Sequence, residues 1–129
     1  MTSTYKAHLW VDLRDVLKDK TVVSFSMGYD GKLYILTMYS QDDVKYRTDN
    51  GMFARTHTDT PHDFIVYVAT PNEVKTFVIP QQIWNFNHIQ PLLNDEILLA
   101  CARTQYTEPA GLDANASVFN QHGEKQRTF

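Results

Sequence analysis

The chain has 129 residues, 12 of them basic and 15 acidic, for a formal charge of -3. That length suits one domain able to bury roughly two-thirds of its unfolded surface, and the charge offers no net attraction to nucleic acid or anionic lipid. Cys101 is the sole cysteine, which excludes an intrachain disulfide and points to a reducing, cytoplasmic compartment.

Residues 1–20 form a lead-in segment. "MTSTYKAHLW" lacks the basic region followed by an apolar stretch that a signal peptide needs. No run approaches the roughly 18 apolar residues of a membrane span. A cytoplasmic protein with neither membrane nor nucleic acid as partner is the expectation. Leu9, Val11, Leu13, Val16 and Leu17 suit a short strand leading into one helical turn.

Residues 21–82 read as a first β unit. Val23, Phe25 and Met27 alternate, the chain breaks at Asp30-Gly31, and Leu33 to Tyr39 resumes. Asp-Gly between apolar runs predicts a hairpin over Val22 to Ser40 with a type I′ turn, since Gly accepts the positive φ that turn requires. The second strand is apolar on both faces, as suits a strand inside a packed sheet. Residues 41–62 are polar, without a sustained period, and read as a long loop. Phe64 to Ala69 and Val74 to Ile79 make the next hairpin, turning at Pro71-Asn72-Glu73, with Val74, Thr76 and Val78 outward. Pro80 should end it, because it cannot donate to a ladder.

Residues 83–129 read as a second unit. "QQIWNFN" links onward, one hairpin turns at Asn94-Asp95, a shorter polar loop follows, and "NASVFNQHGEKQRTF" turns at Gln121-His122-Gly123. Hairpin, polar loop, hairpin thus occurs twice, and the difference in length falls in the loop. Insertions confined to loops are what a duplicated unit tolerates. The expected class is all-β: two four-stranded antiparallel meander blades of propeller type, with a short N-terminal strand or helical turn. A sandwich is the rival architecture.

The second unit resembles an NHL-type or related WD40-like β-propeller blade. Asn115, Val118, Phe119, Gly123 and Phe129 are similar to the family's outer hairpin, and Asp30, Gly31, Leu33, Tyr34 and Ile35 to its inner one. The resemblance covers residues 21–129 and implies a propeller, which typically has four to eight blades. Two blades would leave apolar faces at both ends, to be completed by self-association or by further blades of a longer protein. On that reading the final strand ends inside a repeat array. The chain carries no Trp-Asp pair, Gly-His or Gly-Gly signature, so no functional residue is carried over from a named repeat class.

The residues offer little chemistry. His57, Asp59, His62 and Asp63 lie within seven residues, and imidazole with carboxylate can bind a divalent metal. Their spacing matches no standard zinc pattern, and an ordinary solvated loop is the simpler reading. No Gly-x-Ser-x-Gly elbow or phosphate-binding loop occurs. Cys101, within "EILLACA", reads as a small buried side chain. Trp10, Trp84, Phe86 and Tyr39 are candidates for a partner surface or a blade junction. The expectation is a non-catalytic protein-binding or scaffold module without a cofactor, which self-associates or docks with a protein partner. A propeller enzyme with a polar or metal site in a central channel, and a stand-alone sandwich that inhibits or shields one partner, are the alternatives.

Overall fold

The structure is a computed structural model that describes residues 10–38, 57–101 and 115–129, with residues 57–60 as backbone only. Eight strands follow in chain order: β1 (Thr21–Met27), β2 (Leu33–Met38), β3 (His57–Ala69), β4 (Val74–Trp84), β5 (His88–Pro91), β6 (Ile97–Cys101), β7 (Asn115–Phe119) and β8 (Lys125–Thr128). They make two four-stranded sheets, β1-β2-β3-β4 and β5-β6-β7-β8. Every neighbouring pair is antiparallel. The protein is therefore all-β, built of two meanders of the same strand order, with no helix among the described residues. Ahead of β1, the Leu17 N–H donates to the Leu13 carbonyl at 2.8 Å, which is a single helical turn. No strand precedes it in residues 10–20.

The turns differ from expectation in an instructive way. At the β1–β2 turn the Gly28 N–H donates to the Lys32 carbonyl at 2.8 Å and the Gly31 N–H to the Gly28 carbonyl at 3.0 Å. Only Gly31 is left-handed there, at φ 78°, so this is a three-residue loop ending on a glycine rather than the expected type I′ pair. The Asp30 side chain holds the longer loop: its Oδ1 accepts from the Lys32 N–H at 3.0 Å and its Oδ2 from the Tyr34 hydroxyl at 2.7 Å. The β7–β8 turn repeats this geometry, with Asn120 N–H to Glu124 carbonyl at 3.0 Å, Gly123 N–H to Asn120 carbonyl at 3.1 Å and Gly123 at φ 79°. Two adjacent left-handed residues occur instead at Asn94 and Asp95, φ 63° and 61°. Asn and Asp tolerate that region because a short polar side chain bonds locally.

Two strand boundaries also move. β3 begins at His57, so the polar loop expected over residues 41–62 gives way to strand five residues before its end. β4 does not stop at Pro80 but continues to Trp84, taking in part of the expected linker and crossing the boundary at residue 82. It passes the proline through a bulge: the pairs on either side are Phe64 with Ile79 and His62 with Gln82, which leaves Pro80 and Gln81 opposite Asp63 alone. Gln81 sits at φ 56°, and its N–H, freed from the ladder, donates to Asp63 Oδ1 at 2.8 Å. Proline is tolerated because β4 is an edge strand and the bulge needs no donor there. A second bulge, between Val22 and Ser24, interrupts β1.

The β1 bulge decides which side chains are buried. Without it Val23, Phe25 and Met27 would share one face; with it Val23 packs against the core while Phe25 and Met27 are 68% and 53% exposed. The core lies between the sheets. Tyr34, Leu36 and Met38 of β2, Phe64, Val66 and Val68 of β3, and Ile79 of β4 meet Ile89, Ile97, Leu99 and Phe119 of the second sheet. Phe86, in the connection between the sheets, stands between them, 5.6 Å from the Phe64 ring and 6.0 Å from the Phe119 ring by centroid. Those spacings suit tilted and edge-on aromatic contacts. β5 lies against β1 and β2, and the Ile89 N–H donates across to Ser24 Oγ at 3.3 Å.

Two glycines sit where the second sheet comes close against the first. A Cβ on Gly123 would lie 1.9 Å from the Val78 carbonyl oxygen of β4, and one on Gly28 would lie 3.3 Å from Pro91 Cβ and 2.9 Å from the Tyr34 ring. No L side chain fits the first position.

Candidate interaction surface

The alternation of each strand sorts the first sheet into two faces. The face turned from the second sheet carries Val22, Phe25 and Met27 on β1, then Leu33, Ile35 and Thr37 on β2, with their cross-strand partners on β3 and β4. None of these residues is charged. The centre of this face, at Ile35, Thr37, Tyr67 and Ala69, is buried, whereas its margins at Val22, Phe25, Met27 and Val78 are exposed. On the second sheet Val118, also on the outward face, is fully buried. The outward face is thus buried at its centre on the first sheet and exposed at its margins, and on the second sheet Phe129, beside Ala116 on the same face as Val118, is exposed as well. Tyr29, in the turn beyond Met27, is 84% exposed, extending the β1 margin.

The four sheet edges differ in how they are protected. β8 is fully solvent-exposed and carries Lys125 and Arg127; Arg127 is paired to Glu96 at 3.1 Å. β4 carries Lys75 and the Pro80 bulge. β5 has only four residues, ends on Pro91, and spends the Ile89 N–H on Ser24. Charge, proline and shortness all discourage pairing with another chain. β1 runs seven residues, Thr-Val-Val-Ser-Phe-Ser-Met, without a charge or a proline. Among the described residues it pairs with β2 on one side and with no strand on the other.

A polar cluster ties the ends of the sheets together. The Tyr34 hydroxyl, from an almost wholly buried ring, donates to Asp30, and Gln121 Nε2 donates to that hydroxyl at 3.4 Å from the β7–β8 turn. Burial, then the hydrogen bond to Asp30 and its charge, push the Tyr34 hydroxyl well above the usual phenol value. Desolvation pulls Asp30 upward, but the bonds from Tyr34 and the Lys32 N–H outweigh it, so its carboxyl lies below the usual range. With its hydroxyl held neutral and bonded, Tyr34 here is a clamp rather than a reactive group.

Of the residues singled out from the sequence, Trp10 is exposed, beside a shallow groove formed with Asp12 and the Thr70–Val74 turn. Trp84, at the end of β4, is partly buried against the core, and Phe86 lies inside it. Tyr39 falls outside the described residues. His57 and Asp59 lie on β3, with their side chains outside the description. The His62 ring meets the Phe64 ring edge-on at 4.9 Å, and Asp63 is engaged by Gln81. Among the described residues no three His, Cys, Asp or Glu side chains converge as a metal site. Cys101 is buried, its Sγ 3.6 Å from the Asn115 carbonyl. No described helix is long and apolar enough to cross a membrane.

The surface that sequence reasoning missed is the β1 margin. Its one signal was the alternation of serine with large apolar residues in "VVSFSM", which reads equally well as a half-buried strand; only the bulge and the edge position turn Phe25 outward. No family model, curated protein or solved structure matches this chain.

Proposed function

We propose that this chain is a non-catalytic protein-binding module, a two-blade portion of a propeller-like array that works by self-association or by docking with a further sheet. One observation carries the reading: the charge-free β1 margin, where Val22, Phe25, Met27 and Tyr29 stand exposed together. Large aromatic and sulfur-containing side chains left in water on an edge are an interaction surface by physical default.

The stacking of the sheets supports the array. Leu33 of β2 pairs with the last residue of β3, Ala69, and Ile97 of β6 pairs with the last residue of β7, Phe119. Matched in this way, Leu33, Ile35 and Thr37 correspond to Ile97, Leu99 and Cys101. The first set faces away from the neighbouring sheet and the second faces towards it. The sheets therefore stack front to back, like successive members of a series, and not with like faces together as two-fold-related halves of a sandwich would.

Absolute mass by light scattering across a range of concentrations tests the reading. A discrete oligomer is expected; a clean monomer that unfolds cooperatively at every concentration overturns self-association.

A further inference from the structure

We infer that Asp30 is a covalent modification site, at which the Asp30-Gly31 backbone isomerises to isoaspartate, and that the Tyr34 hydroxyl holds this reaction back in the folded chain. Among the described residues Asp30 is the one Asp or Asn that precedes a glycine. It stands exposed at the tip of the β1–β2 hairpin, where local opening is easiest. Gly31 gives its own nitrogen no steric shield: it has no side chain, and nothing lies within 4 Å of the place a Cβ would take.

In the reaction the Gly31 amide nitrogen attacks Cγ of Asp30 in its neutral, carboxylic acid form. The amide proton and the carboxyl hydroxyl leave as water, and a cyclic imide closes. Water then adds at the former main-chain carbonyl of Asp30 and breaks its bond to the Gly31 nitrogen. The main chain now runs through Cγ, the carboxylate sits on Cα, and nothing has been oxidised or reduced. The fold opposes these steps. The Gly31 N–H is held by the Gly28 carbonyl at 3.0 Å. Asp30 Oδ1 accepts from the Lys32 N–H at 3.0 Å and Oδ2 from the Tyr34 hydroxyl at 2.7 Å, and both bonds favour the carboxylate over the neutral acid. The Tyr34 ring is buried and Gln121 bonds its hydroxyl from the second sheet, so this donor is placed by the tertiary fold and not by the turn itself. Gly28 leaves the room: a Cβ there would lie 2.6 Å from Asp30 Oδ1 and 2.9 Å from the Tyr34 ring. Isomerisation lengthens the main chain of the turn and moves the carboxylate off the atom that Tyr34 binds, so it releases the tie between this hairpin and Gln121.

The test ages the full chain at neutral pH, folded and in urea. Isoaspartate is then read by electron-transfer fragmentation on the tryptic peptide from Thr21 to Lys32, which separates Asp30 from Asn50-Gly51. Wild type is expected to isomerise more slowly folded than in urea. Folded Tyr34→Phe, with an unchanged circular dichroism spectrum, is expected to react about fivefold faster than folded wild type, the gain that loss of one ordinary hydrogen bond allows. In urea the two chains should react alike. Phe86→Leu is the control, because it loosens the core between Phe64 and Phe119 and leaves the turn alone; it should react as slowly as wild type. Equal rates for folded Tyr34→Phe and folded wild type overturn the role of Tyr34. An equal acceleration in Phe86→Leu overturns it too, since protection would then come from global stability. A wild-type chain that reacts as fast folded as in urea, or that forms no isoaspartate at Asp30 in either state, overturns the site.

Discussion

Replacing Gly123 with alanine tests whether the two sheets touch as described. Gly123 and Gly31 occupy the same position in two turns of the same geometry, at φ 79° and 78°. An alanine at either must adopt a left-handed backbone, at roughly 1 kcal/mol. The surroundings differ: a Cβ at Gly31 meets nothing within 4 Å, whereas one at Gly123 would lie 1.9 Å from the Val78 carbonyl oxygen. That contact is with backbone and cannot be relieved by rotating a side chain, so the β7–β8 turn must lift from β4. Overpacking of this sort adds about 1–3 kcal/mol, so Gly123→Ala should be destabilised by about 2 kcal/mol more than Gly31→Ala. With a urea slope of about 1.5 kcal/mol per M, the two midpoints should differ by about 1.3 M. Equal midpoints for the two variants, with equal slopes, would refute the packing of the second sheet's turn on β4.

Three further outcomes follow from the same contacts. Phe86→Ala removes the ring between Phe64 and Phe119 and should cost about 3–5 kcal/mol in denaturant unfolding, whereas Phe86→Leu, which keeps most of the volume, should cost less than half of that. Tyr34→Phe loses the hydrogen bond to Asp30 and should cost about 1 kcal/mol at pH 7. It should also flatten the alkaline limb of stability: the raised Tyr34 value means stability is complete below the unfolded phenol value of about 10 and is lost as pH rises towards the folded value. Asp30→Asn should flatten the acid limb, because a depressed carboxyl stabilises above its unfolded value of about 4 and loses that contribution as pH falls through the folded value. Thermal midpoints between pH 3 and pH 11 check both, and a limb unchanged by its variant counts against the Tyr34–Asp30 clamp.

Much of the fold was written locally in the chain. Apolar alternation placed all four hairpins, the doubly apolar run from Tyr34 to Met38 is an interior strand, and Val74, Thr76 and Val78 face outward as their pattern required. These features depend on neighbours along the strand or across one turn. The misreadings came where a local rule has two solutions. Asp30-Gly31 could close a two-residue or a three-residue loop, and the hydrogen bonds of Asp30 to Lys32 and Tyr34 select the longer. Pro80 could stop a strand or sit in a bulge, and the Asp63 carboxylate eighteen residues away, by capping Gln81, permits the bulge.

The sequence by itself therefore determined the strands, their pairing into two meanders and the identity of the apolar residues, because these follow from a period of two and from turn chemistry. Which apolar residues face the core and which face water was decided only in three dimensions. Phe25 and Phe64 look alike in the sequence, yet one stands 68% exposed on an open edge and the other is wholly enclosed between the sheets. A one-residue bulge reverses every side chain beyond it, and the position of a strand within its sheet is set by contacts between distant segments. The β1 margin, and with it the surface on which the proposed function rests, exists only at that level.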